Sequence, residues 1–209
     1  MIIGIDGFAG AGKDTIADIF VKNGFTKLSF ADALRESVVY STGFELSTFI
    51  DRNIKDKPFN EKYLLSESML TKFCDYLNFQ SKTQEVVDKF LNTGMDSPRH
   101  LLQFIGTEVG RQTLSPTIWL DKYDEKRANL GHIVTPDCRF DNERKHIKST
   151  YKGLVWLVKR AGTEPVGKHI SELDKWSDRE YDVVVQNDDL QQTRSEVGLW
   201  WAMKGSKLR

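Results

Sequence analysis

Apolar positions along the chain switch between two periods. Ile2, Ile3 and Ile5 form a short apolar run, the pattern of a buried strand. Ile16, Ala17, Ile19, Phe20 and Val21 then recur at helical spacing until Asn23-Gly24, a stop signal. Phe25 to Phe30 alternates apolar with polar, as a short strand does, and Ala31 to Val39 turns helical. Later runs at Ile133-Val134 and Leu154 to Val158 read as further buried strands, and Tyr181 to Asp189 as the last strand and its exit loop. Helical patterns fall between them, at Ser97 to Arg111, after Pro116, from Glu143 and from Leu190 to Trp201. This alternation predicts a three-layer α/β/α fold: a parallel sheet of about five strands with helices on both faces.

Residues 41–97 differ in texture. They are rich in Lys, Asp, Asn, Ser and Phe and carry no clear strand pattern. Leu64, Leu65, Met69, Phe73, Tyr76 and Leu77 have rough helical spacing, and so do Val86, Val87, Phe90 and Leu91. The expectation is a single domain over 1–209, with 41–97 as a helical substrate-binding insertion over the sheet edge. Phe44, Phe49, Phe59, Tyr63 and Phe79 either line a base-binding cleft or pack in a core, the commoner fate of aromatics.

The size, 209 residues, suits one α/β domain with a substantial core. Thirty acidic residues balance thirty basic ones, which argues against wholesale coating of nucleic acid or an anionic membrane. Cys74 and Cys138 lie far apart, and the four histidines are scattered without ligand spacing. That usage fits a reducing cytoplasm. No apolar run approaches the ~20 residues of a membrane span, and the start lacks the basic region of a signal peptide. A cytoplasmic protein that does not touch membrane is expected. A homodimer is left open.

The strongest chemical signal joins the first strand to the first helix. Gly7-x-x-x-x-Gly12-Lys13 has the Walker A spacing, with Ala9, Gly10 and Ala11 between. Glycines let consecutive backbone N–H groups converge without Cβ clashes, which makes an anion nest. The helix start adds unpaired N–H groups and the positive end of its dipole. Lys13 supplies a mobile charge for the β- and γ-phosphates. Asp14 stands where Ser or Thr usually follows the lysine: it either holds Mg²⁺, directly or through water, or caps the helix while Thr15 does part of the work.

Other candidates sit where strands end, the edge that carries ligands in open α/β sheets. Arg35 is a candidate for an acceptor phosphate. In Ser97 to Arg111, Ser97 reads as N-cap and Pro98 as the first helical residue. Gly106-Thr107 breaks a plain helix there, and Gln103, Thr107 and Arg111 are candidates for base, sugar and phosphate. Asp137 follows its strand like a Walker B carboxylate able to hold Mg²⁺ through water. Arg139, two residues on, can reach a transferring or acceptor phosphate. Arg160 ends the next strand, and Gln186 to Asp189 are candidates for adenine or ribose.

Taken in order, these segments resemble the tailed-phage deoxynucleoside monophosphate kinases, within the P-loop nucleoside monophosphate kinases. The residues that carry the resemblance are Gly12-Lys13-Asp14-Thr15, Leu102-Gln103 with Gly106-Thr107-Glu108 and Arg111, Trp119, and Pro136-Asp137-x-Arg139-Phe140 with Glu143. His169-Ile-Ser-Glu172 and Asp182-Val-Val-Val-Gln-Asn187-Asp188 complete the set. The resemblance implies a P-loop fold and transfer of the γ-phosphate of ATP to a deoxynucleoside monophosphate, with Mg²⁺. Lys13, Asp14, Arg111, Asp137 and Arg139 are then the expected catalytic residues. Gly7, Ala9 to Thr15, Asn187 and Asp188 are expected to bind ATP. Arg35, Gln103, Thr107, Arg111, Trp119, Arg139 and Arg160 are expected to bind the acceptor, and Asp14, Thr15 and Asp137 the metal. If the chain is phage-encoded, the compartment is the host cytoplasm. Residues 41–97 match no pattern in this set.

Two rival readings remain at this point. One is a P-loop kinase acting on a hydroxymethylated pyrimidine, as a nucleotide or within phage DNA. That acceptor is an alcohol and would want a carboxylate base such as Asp6, Asp32 or Asp137. The other is a non-catalytic nucleotide-dependent switch, against which the lack of an Asn/Thr-Lys-x-Asp element after the loop argues.

Overall fold

The computed structural model describes residues 1–51, 53–164 and 176–205. The chain divides into two compact units. The first joins Met1–Phe30 to Glu125–Arg209, and the second is Ala31–Asp124.

The first unit holds the sheet. Strands β1 (Ile2–Asp6), β2 (Thr26–Lys27), β5 (Ile133–Thr135), β6 (Leu154–Lys159) and β7 (Val183–Gln186) pair in the order β2-β5-β1-β6-β7, all parallel. The central strand β1 places Ile3 beside Val134 on one side and Leu154 on the other. Every residue of β1 is buried, which explains its unbroken apolar run. The alternation expected over Phe25–Phe30 yields only two paired residues, Thr26 and Lys27. The residues after them turn out of the ladder, with the Leu28 N–H still reaching the Val134 carbonyl at 3.1 Å.

Helices cover both faces. Ile3 and Ile5 point toward α1 (Lys13–Lys22) and the closing helix α9 (Leu190–Gly205), in a core with Ile16, Phe20, Trp156 and Val197. The Phe20 ring lies 5.2 Å from both Phe25 and Trp156. Burying a side chain of this kind contributes roughly 1.5–3 kcal/mol. On the other face Gly4 meets α8 (Asp141–Tyr151): a Cβ there would come within 2.4 Å of Ile147. Only glycine lets the helix lie that close to the central strand.

The second unit is mostly helical. It contains α2 (Asp32–Thr42), α3 (Ser47–Ile50), α4 (Glu67–Tyr76), α5 (Thr83–Phe90) and α6 (Pro98–Phe104), and α7 (Ile118–Arg127) begins within it. Ser66 and Ser97 cap α4 and α6 by accepting the N–H groups of Met69 and His100, each at 3.2 Å. Leu65, Leu70, Phe73, Val86, Leu101 and Ile105 lie in one core.

One sequence expectation needs revision here, the lack of a strand in 41–97. That stretch lies within the compact unit Ala31–Asp124. It contains a small antiparallel ladder, β3 (Tyr63–Leu64) with β4 (Gly94–Met95). Two residues a side are too few to show a period. The aromatic residues mainly meet one another: Phe44 lies 5.9 Å from Phe59 and 5.2 Å from Tyr63, ring to ring, and Phe49 is fully in the core. None of the helices among the described residues is long and apolar enough to cross a membrane.

Candidate active site

β1 is the topological switch point of the sheet. The chain leaves it for β2 and β5 on one side and for β6 and β7 on the other. Ligands of open parallel sheets bind beyond the carboxyl ends of the strands at such a point. The glycine-rich loop follows β1 directly. Gly7, Gly10 and Gly12 have φ of +145°, +82° and +96°, which side chains disfavour. Space makes the same demand: a Cβ on Gly7 would meet the Val158 carbonyl oxygen at 2.3 Å, and one on Gly12 the Asn187 amide at 2.1 Å. Gly12 precedes α1 in a left-handed conformation without a side-chain cap, so the helix start offers backbone N–H groups.

Lys13 is buried to 9% exposure, with its ammonium donating to the carbonyls of Gly7 at 2.7 Å and Phe8 at 2.8 Å. The lysine is folded over the loop that it follows. Ala9 is half-buried, Gly10 exposed and Ala11 fully buried. Asp14 is exposed and pairs with Lys27 Nζ at 2.9 Å, and Thr15 is half-buried.

The exit loops of the other strands lie at the same edge of the first unit. After β5, half-buried Asp137 accepts the Phe30 N–H at 3.0 Å and so ties the β5 exit to the β2 exit. Arg139 is also half-buried. Its N–H donates to Glu143 Oε2 at 2.8 Å, and the Phe140 N–H reaches the same oxygen at 3.0 Å. Glu143 thus serves as the N3 carboxylate of α8. Arg160, after β6, is exposed.

After β7, the side-chain amide of Asn187 donates to the Ala11 carbonyl at 2.8 Å, and its backbone N–H to Lys159 at 2.7 Å. Asn187 is 7% exposed. It supports the glycine-rich loop from beneath, a positioning contact that the expectation of ATP contact did not include. Asp188 accepts the Ala161 N–H at 2.7 Å and the Gln186 amide at 2.8 Å. Its carboxyl is held below the usual range by those bonds.

Beneath this edge lies a buried polar group. Asp6, the last residue of β1, accepts the Gly7 N–H at 2.6 Å, Arg144 Nη1 at 2.9 Å and the Tyr181 hydroxyl at 2.6 Å. Neither the Asp6 nor the Arg144 side chain has any exposed surface. Burial, and then the Asp6 charge, push the Tyr181 hydroxyl well above its ordinary range, so it stays a donor. Burial and the nearby carboxylates of Glu143 and Asp6 likewise keep the Cys138 thiol protonated.

The remaining expected residues belong to the second unit. Gln103 lies in the last turn of α6, and Thr107 and Arg111 follow on a π-helical segment, Ile105–Leu114. All three are half-buried, and spacing by four keeps them near one face. The two glycines of this segment are explained by close approach: a Cβ on Gly106 would meet Leu34 at 2.8 Å, and one on Gly110 would meet Trp119 at 2.7 Å. Trp119, expected as an acceptor contact, is a core residue instead. It is 2% exposed, and its indole N–H donates to the Gly106 carbonyl at 2.8 Å. Arg35 pairs with Asp32 at 2.8 Å. His169 to Glu172 lie outside the described residues.

The structure therefore gathers the loop, Asp137, Arg139, Arg160, Asn187 and Asp188 in one unit, and Arg35, Gln103, Thr107, Arg111 and Trp119 in the other. Sequence reasoning missed Arg144 and Tyr181 as partners of Asp6. The one available signal was a carboxylate ending an otherwise apolar strand, which must find a buried partner. The pattern does not say which residue supplies it.

The donors expected for Mg²⁺ suit it chemically. Asp14, Thr15 and Asp137 offer hard oxygen ligands, and Mg²⁺ commonly uses one or two carboxylates with waters and substrate phosphates.

Comparison with known proteins covers most of the chain. A family model described as deoxynucleotide monophosphate kinase matches residues 46–196. The deoxynucleoside-5'-monophosphate kinase of Escherichia phage T5 is 26% identical, over 72% of this chain and 72% of its own. Among solved structures, TT1252 from Thermus thermophilus aligns with a TM-score of 0.44 at 14% identity, covering 98% of this chain and 97% of its own. Dephospho-CoA kinase from Campylobacter jejuni aligns with a TM-score of 0.40 at 13% identity, covering 98% of each chain.

Proposed function

Because the chain belongs to the deoxynucleotide monophosphate kinase family, we propose that it moves the γ-phosphate of ATP onto the phosphate of a deoxynucleoside monophosphate, giving the diphosphate. The observation that carries this reading is the left-handed glycine loop with Lys13 at the end of the switch-point strand. Such a loop aims backbone N–H groups at a phosphate chain.

Lys13 and the loop amides bind the β- and γ-phosphates. Asp14, Thr15 and Asp137 are the residues that would hold Mg²⁺, whose chemistry is to neutralise charge on the phosphate oxygens. The exposed Asp14–Lys27 pair contributes only ~0.2–1 kcal/mol, so it yields readily to another cation. Arg139 and Arg160 supply charge for the transferring phosphate. Arg35, Gln103, Thr107 and Arg111 recognise the acceptor. Transfer of this kind depends mainly on positioning and charge stabilisation. An acceptor phosphate is already anionic near neutral pH, so no general base is required.

The test is a panel of acceptors with labelled ATP and Mg²⁺: deoxynucleoside and ribonucleoside monophosphates, hydroxymethylated pyrimidine nucleotides, and DNA carrying such bases. Label in deoxynucleoside diphosphates is expected. Label only in hydroxymethylated DNA, or bound nucleotide with no transfer, would refute the assignment.

A further inference from the structure

We propose that Asp6, Glu143 and Arg144 act together as positioning residues that fix the Arg139 peptide relative to the first glycine of the loop. The proposal rests on the reading above in which Arg139 meets the transferring phosphate.

The geometry forms an unbroken path. The Gly7 N–H donates to Asp6, and Asp6 accepts from Arg144 Nη1. The same Nη1 donates to the Arg139 carbonyl at 2.9 Å. From the other side the Arg139 N–H donates to Glu143. Residue 139 is therefore held at both its N–H and its C=O, by two consecutive residues of α8, and one of those holds also holds the loop. Tyr181 closes the group by donating to Asp6, and the Trp176 ring lies 5.2 Å from the Arg144 guanidinium.

Stability alone does not call for this arrangement. A buried ion pair often contributes no more than an apolar pair of similar volume. Here two fully buried side chains, Asp6 and Arg144, and the nearly buried Glu143 carry charge behind one loop. What such a group supplies is direction. A guanidinium presents donors in a rigid fork and can hold a carboxylate and a carbonyl at a set angle, which a lysine cannot. A transition-state cation must be placed closely, since an error near 1 Å costs about 100-fold in rate.

The experiment is a double-mutant cycle on kcat and KM. Arg144→Lys keeps the charge and removes the fork; Glu143→Gln keeps one acceptor oxygen and removes the charge. Each is made alone and with Arg139→Ala. Arg144→Lys is expected to lower kcat about 10- to 100-fold, with KM for both substrates within about twofold, and to lower it no further once Arg139 is gone. The same loss with and without Arg139, or a raised KM at unchanged kcat, would overturn the proposal. If Arg144→Lys fails to fold, Glu143→Ala, which removes the oxygen that accepts the Arg139 N–H, is made alone and with Arg139→Ala and decides by the same rule. Unchanged kcat in Arg139→Ala alone would instead remove the premise about Arg139, so the two failures are told apart.

Discussion

The two units treat buried polar groups differently. In the first, the charged side chains of Asp6, Lys13, Glu143 and Arg144 are buried. In the second, the buried polar side chains among the described residues are the neutral hydroxyls of Ser37, Ser41 and Thr113. Each donates to a carbonyl in its own helical segment: Ser37 to Leu34 at 2.8 Å, Ser41 to Val38 at 3.2 Å, Thr113 to Glu108 at 2.8 Å. The two serine hydroxyls, satisfied so locally, constrain little beyond their own turn; that of Thr113 also accepts from Lys89 Nζ at 3.2 Å. The charges of the first unit bind strand end to loop and loop to helix. One unit is specified by directed polar contacts that pin backbone beneath the glycine-rich loop. The other is specified by shape, with glycines at 106 and 110 setting how closely helices approach.

The largest expected effect tests what the buried charges are for. Lys13→Met is expected to lower the rate of transfer by about a thousandfold, as for loss of a transition-state charge contact, while the circular dichroism spectrum stays that of the folded protein. Near-normal turnover would remove the lysine from the mechanism. Next in size is Asp6→Ala, which leaves the Arg144 guanidinium buried without its carboxylate. Breaking a buried pair this way costs about 3–5 kcal/mol, against about 1 kcal/mol for Ser37→Ala, where one hydrogen bond is lost. Equal shifts in melting temperature for the two variants would break the contrast between the units.

A shape-specified unit should answer to volume. Gly110→Ala would put a methyl group 2.7 Å from the Trp119 ring and 3.1 Å from the Ile105 carbonyl. Such overpacking costs about 1–3 kcal/mol, visible in urea denaturation. A variant as stable as the parent would mean that this approach has room to spare. The smallest effect concerns a surface charge of the second unit. The Arg99 guanidinium, by hydrogen bonding, holds the Asp56 carboxyl below its ordinary range. A carboxyl depressed on folding adds stability that is present above its unfolded pKa, near 4, and is lost as pH falls through the folded value. For so exposed a pair the loss stays below about 1 kcal/mol. Arg99→Ala should therefore slightly reduce the fall in melting temperature between pH 7 and pH 3; an unchanged fall would show that the pair does not contribute.

Much of the first unit was legible in the sequence, because its determinants are local. The Ile2 to Ile5 run, the Walker A spacing and the period of α1 each depend on residues a few positions apart. So do the strands at 133, 154 and 183. The same local logic placed α4, α5 and the Ser97-Pro98 start of α6. It did not place the two-residue ladder of β3 and β4, which has no period to read. Nor did it show that Trp119 is spent on packing, because a tryptophan in a helix start looks alike whether its indole meets a ligand or a carbonyl.

Sequence by itself thus determined the glycine-rich loop, its strand and helix, and the order of strands and helices, since each follows from backbone preference and from the spacing of apolar side chains. Only the tertiary structure decided that Asp6 pairs with Arg144 and Tyr181, and that Asn187 props the loop at Ala11. It also decided that Gly106 and Gly110 are sites of close approach. Those partners lie far apart along the chain, and a buried charge or a missing Cβ states a need without stating which distant residue meets it.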